Sequence, residues 1–309
     1  MSVSELGTYA SQSPITDPGA FAGRLDAVPA DLQSLQRTSC RLVFHYRAGG
    51  DFAENGIAAD RMSEIDTRYA DAMFARLFAL HDAPLTDDRS PHQRLVGCCR
   101  DFTVLFLALA RHKGIPARAR VGFAAYFAPG WYIDHEIAEV WDGEEQRWRL
   151  VDPELREGYV DPTNGAVIDP LDVGSERFIV GPQAWLACRA GDADPDRFVV
   201  SPDIDIPDLR SWPYLAHNLI HDLAGLNKRE MVLWDSWGLE ESEQLTDEQR
   251  ALLDEVARAM TSPDVTVSEL RDLYARDGFG VPAVVTSYSP ATSEPLRVPA
   301  PRDTAPTTG

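Results

Sequence analysis

Residues 99–112 read CRDFTVLFLALARH, and their apolar side chains fall on almost every side of a 3.6-residue period rather than along one stripe. A helix of that kind has to be enclosed, so the remaining elements must be arranged around it. Its end is equally plain: Lys113 sits in the last turn, Gly114 can take a left-handed cap, and Pro116 forbids continuation. The longest strongly apolar run, 104–110, is far short of the ~20 residues that cross a bilayer.

Around this helix the periodicities predict a short strand at 42–44 and a helix over 60–80, with Met62, Ile65, Tyr69, Met73, Leu77 and Leu80 at helical spacing. After it, strand-like stretches at 117–127, 135–141 and 147–151 are joined by loops short enough for hairpins, which predicts an antiparallel meander. Residues 212–234 and 246–260 read as helices, the second opening on a Thr246/Gln249 capping box. The plan is α+β, with a core at 36–160 and a C-terminal helical extension at 161–287 packed on it. Residues 1–35, rich in Ser, Pro, Ala and Asp, read as a loosely ordered arm, and 288–309 as a Pro/Thr-rich tail.

With 29 Lys and Arg against 49 Asp and Glu, the chain carries a formal charge of −20. That excludes a simple nucleic-acid binder, which needs gathered cations to displace counterions. No signal-like basic and apolar leader opens the chain, so a cytoplasmic location is expected, with no membrane partner. The cysteines Cys40, Cys98, Cys99 and Cys188 form neither a CxxC pair nor a small-domain disulfide pattern, leaving packing or catalysis for each.

The run Gly97-Cys98-Cys99-Arg100-Asp101-Phe102, followed by Gly114-Ile115-Pro116-Ala117-Arg118, resembles the nucleophile segment of the transglutaminase-like superfamily. In that family a His begins the next strand and an Asp-Pro ends the one after, matching His135 in DHEIAEVW and Asp152 in WRLVDPEL. The resemblance covers roughly residues 93–155. It implies a transglutaminase-like, papain-like fold, in which a buried helix carries the Cys and an antiparallel sheet carries the His and Asp. It also implies a cofactor-free and metal-free cysteine enzyme with Cys99 as nucleophile, His135 as base and acid, and Asp152 as orienter. Its chemistry would be acyl transfer or hydrolysis at an amide, ester or thioester carbonyl. The substrate would be a small-molecule, peptide or carrier-bound acyl group, and the acceptor an amine or water. The segment HNLIHDLAGLNKREMVLWDSWGL lies outside the common core and looks like a feature of a bacterial subset of these proteins. The family's aromatic after the His is replaced here by Glu136-Ile137.

Elementary chemistry supports that assignment. A thiol titrates near ~8.5, and both a helix N-terminus and an adjacent imidazolium favour the thiolate. If the hairpin turn falls within 142–145, residues pairing across it have numbers summing to about 285–289. At 287, His135 faces Asp152, Ile137 faces Leu150 and Glu139 faces Trp148, on a sheet face able to meet the Cys99 helix. Cys98 competes with Cys99, but consecutive helical residues point about 100° apart, so one of them alone can face the His. Gln93 sits where papain-like proteases place an oxyanion glutamine, and Trp131 and Tyr132 could wall the cleft. His217 and His221 stand at i, i+4, without an evident third metal ligand. The rival reading is a catalytically inactive transglutaminase-fold binding or scaffolding protein, whose hallmark would be loss of a triad position.

Overall fold

The computed structural model describes residues 2–242 and 244–301. In chain order the helices are α1 (Val3–Ala10), α2 (Ala22–Leu25), α3 (Leu32–Leu42), α4 (Ala70–Leu80), α5 (Cys99–His112), α6 (Gly181–Ala190), α7 (Ser211–Leu226), α8 (Asp247–Met260) and α9 (Val267–Tyr274). The strands are β1 (Val43–His45), β2 (Leu95–Gly97), β3 (Ala117–Ala124), β4 (Tyr132–Asp142), β5 (Arg147–Val151), β6 (Phe178–Val180), β7 (Phe198–Val199), β8 (Asp235–Ser236), β9 (Val284–Ser287) and β10 (Leu296–Pro299). The main sheet has the antiparallel order β5-β4-β3-β6, with β7 added parallel to the start of β4. None of the described helices is long and apolar enough to cross a membrane.

The central helix behaves as its composition demands: residues 99–111 are all buried. One side meets Leu35, Phe74 and Leu77 of α3 and α4; another meets Ala117, Ala119, Ala138, Val140 and Val151 of the sheet. The alanines matter, because a helix approaches a sheet closely only where side chains are short. A second core gathers α6, α7, α8 and α9 about Trp185, Leu219 and Trp237, so the C-terminal helices have their own apolar interior next to the sheet. The capping box of α8 forms as expected, with Gln249 N–H donating to Thr246 Oγ1.

Three expectations need correction. Residues 2–35 are not a loose arm: Tyr9, Ile15, Leu25 and Val28 are fully or almost fully buried, and Tyr9 O–H donates to the Leu226 carbonyl at 2.9 Å. In the tail, β10 pairs with β9, while residues 302–309 lie outside the described residues. The helix at 60–80 is split into a 3-10 segment, Ala59–Asp66, and α4, because Thr67 and Tyr69 are extended.

The meander register also differs. Ala138 pairs with Val151 and Glu139 with Leu150, a sum of 289 rather than 287. A shift of two preserves which face each side chain takes. His135 and Asp152 therefore still share a face, but they meet diagonally. That face, which carries Ile137, Phe178 and Val180, is opposite the one α5 crosses. The body of the helix accordingly does not pack on the histidine's face.

Candidate active site

Cys99 is the first residue of α5, so its N–H is among the helix-start amides that have no partner within the helix. Cys98 before it is extended, and its N–H donates to Asp101 Oδ2 at 2.9 Å. This cap depends on Gly97, where a Cβ would stand 2.5 Å from Asp101 Oδ2 and 3.0 Å from Val43 Cγ1. Arg100 is buried and donates to the carbonyls of Thr67, Arg68 and Glu230 and to Asp101 Oδ1. The helix start is thereby tied to two distant loops, and Arg100 and Asp101 act structurally.

His135 and Asp152 are brought together: His135 Nε2 lies 2.9 Å from Asp152 Oδ2, with side-chain exposures of 2% and 0%. Asp152 is held from three directions. Tyr126 O–H donates to its Oδ2 at 2.6 Å, Glu154 N–H donates to its Oδ1 at 2.9 Å, and Gln36 Nε2 donates to its carbonyl at 3.0 Å. The imidazole meets Phe127 edge-on at 4.9 Å, with Tyr126 and Phe178 each at 6.3 Å.

Burial disfavours the imidazolium, but the Asp152 carboxylate outweighs it, and the His135 pKa is raised above its ordinary 6.5. For Asp152 burial acts upward, yet the His135 charge and the hydrogen bonds from His135 and Tyr126 bring it below the ordinary 3.8. By linkage, the histidine's contribution to stability is complete below 6.5 and is lost as pH rises through its raised native pKa. The aspartate's contribution is complete above 3.8 and is lost as pH falls through its lowered native pKa. Asp152→Asn is expected to take the His135 pKa below 6.5, since burial, the largest influence, is then opposed only by the smaller effects of Glu154 and Asp134. NMR titration of the ring protons reads this directly; a pKa that stays above 6.5 in the variant would assign the shift to another group.

The thiols depart from expectation. The adjoining Cys98 thiol and burial both disfavour the Cys99 thiolate, so its pKa stands well above the ordinary 9.0. At Cys98 the adjoining Cys99 thiol favours the thiolate, while burial reverses this and leaves its pKa raised. Cys99 is 6% exposed and in apolar contact with Val121 and Leu233, the latter from the segment after α7. The helix start does not by itself ionise this thiol.

Asp134 and Glu154 act electrostatically on both Cys99 and His135, but among the described residues no hydrogen bond joins thiol and ring, and Val121, which Cys99 touches, lies on the sheet face that α5 crosses. Asp134 is held by Tyr214 O–H at 2.8 Å and Asn218 Nδ2 at 3.1 Å, both from α7. Sequence reasoning missed Tyr126, Asp134 and Leu233, and little could have found them: Tyr126 reaches Asp152 across 26 residues of chain, and Leu233 arrives from the C-terminal extension. Three other candidates are engaged elsewhere. Gln93 Oε1 accepts from Ser90 N–H and O–H. Trp131 lies under the Arg197 guanidinium at 5.1 Å, and Tyr132 stacks on Phe198 at 4.4 Å.

Among curated proteins nothing matches this chain. A solved structure from Cytophaga hutchinsonii, described as a proposed cysteine protease, is similar at 16% identity and a TM-score of 0.33, over 54% of this chain. The match spans 46% of that protein, less than half its length. Residues 81–153 match the model of the transglutaminase-like superfamily, a span that includes Cys99, His135 and Asp152. With its helix-start cysteine, antiparallel sheet and a His of β4 paired with the Asp that follows β5, this part of the chain is a transglutaminase-like superfamily domain.

Proposed function

We propose that this chain is a cysteine-dependent acyl-transfer enzyme in which Cys99, His135 and Asp152 act as one unit. The observation that carries the reading is the enclosed His135–Asp152 pair at 2.9 Å, in a chain whose buried central helix opens on a cysteine. Cys99 sulfur attacks the acyl carbonyl while His135, in its neutral form, takes the thiol proton. A C–S bond forms, the bond to the leaving amine, alcohol or thiol breaks, and the leaving group departs with that proton. Water or an amine then attacks the thioester, gives its proton to His135, and releases the thiol. The Cys99 N–H, free of an intrahelical partner, is available to the developing oxyanion. Asp152 orients the ring and stabilises the imidazolium, as in triads on unrelated folds. The acyl donor is a small molecule, a peptide or a carrier-bound acyl group.

Incubation with an activated acetyl ester tests this. The account expects an acetyl adduct that peptide mass spectrometry maps to Cys99 and that is absent in Cys99→Ala. An adduct on Cys98 would move the nucleophile by one residue. Complete lack of adduct on the native chain, with Cys99 modified only after denaturation, would favour the inactive binding-protein reading.

Leu233 covers the thiol, so access is expected to limit the rate. Leu233→Ala should increase labelling of Cys99 by a small haloacetamide several-fold while leaving Cys40 and Cys188 unchanged; equal rates in variant and native protein would show that another element guards the site.

A further inference from the structure

The fold supplies what the i, i+4 histidines lacked in sequence. Glu240, from the short 3-10 turn Gly238–Glu241, reaches back to α7 with one carboxylate oxygen beside a nitrogen of each ring. Its Oε2 stands 2.8 Å from His217 Nδ1 and 3.6 Å from His221 Nε2, and one donor atom from each of the three residues lies within 4.8 Å of the others. The backbone oxygen of Asp235 is 3.0 Å from His221 Nε2. We propose that His217, His221 and Glu240 form a binding site for a divalent transition ion of the zinc type, with the Asp235 carbonyl as the nearest fourth donor.

Metal–ligand bonds of about 2.0–2.1 Å in a tetrahedron put neighbouring donors about 3.3 Å apart, and the separations found here bracket that edge. The alternative, a plain hydrogen-bonded cluster, leaves a defect. The Glu240 side chain is 3% exposed, both imidazoles crowd its Oε2, and Oε1 is buried with no hydrogen-bond partner. Buried carboxylates built for hydrogen bonding satisfy both oxygens, whereas a cation answers the charge of the whole group. The rings are also set in place beforehand. Tyr214 stacks on His217 at 4.9 Å, His217 lies over His221 at 4.0 Å, and His221 meets Trp237 at 4.5 Å, a column that fixes ring orientation. With its donors enclosed, the site is structural. It would pin α7 to the loop after β8, and α7 carries the Tyr214 and Asn218 that hold Asp134 next to His135.

The test uses the chelator-stripped full chain titrated with Co²⁺. One equivalent should give visible d–d absorption of four-coordinate strength with no thiolate-to-cobalt charge-transfer band. Zn²⁺ should displace the cobalt and raise the thermal midpoint by several degrees, and Glu240→Gln should weaken cobalt binding at least ~10-fold. The native chain decides without any variant: no d–d band at excess Co²⁺, or a thiolate band that places the metal on Cys98 or Cys99, overturns the proposal, as does unchanged affinity in a folded Glu240→Gln. Cys99→Ala should retain the cobalt spectrum whatever its acyl chemistry, which separates this site from the reading of Cys99.

Discussion

Cys99→Ala is expected to lower acyl turnover by ~10⁴-fold or more while costing no more than about 2 kcal/mol of stability. The first figure follows from covalent chemistry: without sulfur no thioester forms, and the oxyanion donor and His135 are left to act on bound water alone. The second follows from packing, because the side chain is small and its apolar neighbours are Val121 and Leu233. Cys98→Ala should behave differently. It removes the adjoining thiol that disfavours the Cys99 thiolate, so Cys99 labelling should be kept or increased. Steady-state rates with an activated ester, beside urea melts of both variants, check the pair; comparable loss in Cys98→Ala would contradict the assignment.

Glu230→Ala is expected to cost about 3–5 kcal/mol, the largest stability effect of any single replacement considered. Arg111 and Glu230 are both 0% exposed, with Nη1 and Oε1 at 2.8 Å. Glu230 Oε2 accepts from Ser13 O–H at 2.8 Å, and its backbone oxygen accepts from Arg100 at 2.7 Å. Removing the carboxylate leaves a guanidinium charge in the interior, a cost that methionine at both 111 and 230 should largely recover. The same change loosens the segment carrying Leu233, so Cys99 labelling should also quicken. A shift in urea midpoint worth less than about 1 kcal/mol would mean that water reaches Arg111.

How much of this was legible in the sequence depends on how local the cause is. The central helix and its stop, the antiparallel meander and the Thr246 cap are set by neighbours within a few residues, and they stand as the pattern predicts. The hairpin register was open by two, because loop geometry alone admits several sums; face alternation protected the His135–Asp152 juxtaposition from that error. The N-terminal segment was misread from its Pro and Ser content, although Ser2 and Glu5 already spell the capping box that starts α1. Tyr126, Asp134, Leu233 and Glu240 acquire their roles through partners far along the chain or on other elements, which no periodicity encodes. The thiol pKa was misjudged for a similar reason: the helix-start argument is local, but the burial that opposes it comes from tertiary packing.

The most direct measurement is the pH dependence of alkylation of the native chain by a small haloacetamide, with sites mapped by mass spectrometry and His135→Ala run alongside. The account predicts that near pH 7 Cys99 is labelled faster than Cys40, Cys98 and Cys188, and that His135→Ala slows this at least ~10-fold. Labelling that favours another cysteine, or that ignores the loss of the imidazole, would contradict a Cys99–His135 pair.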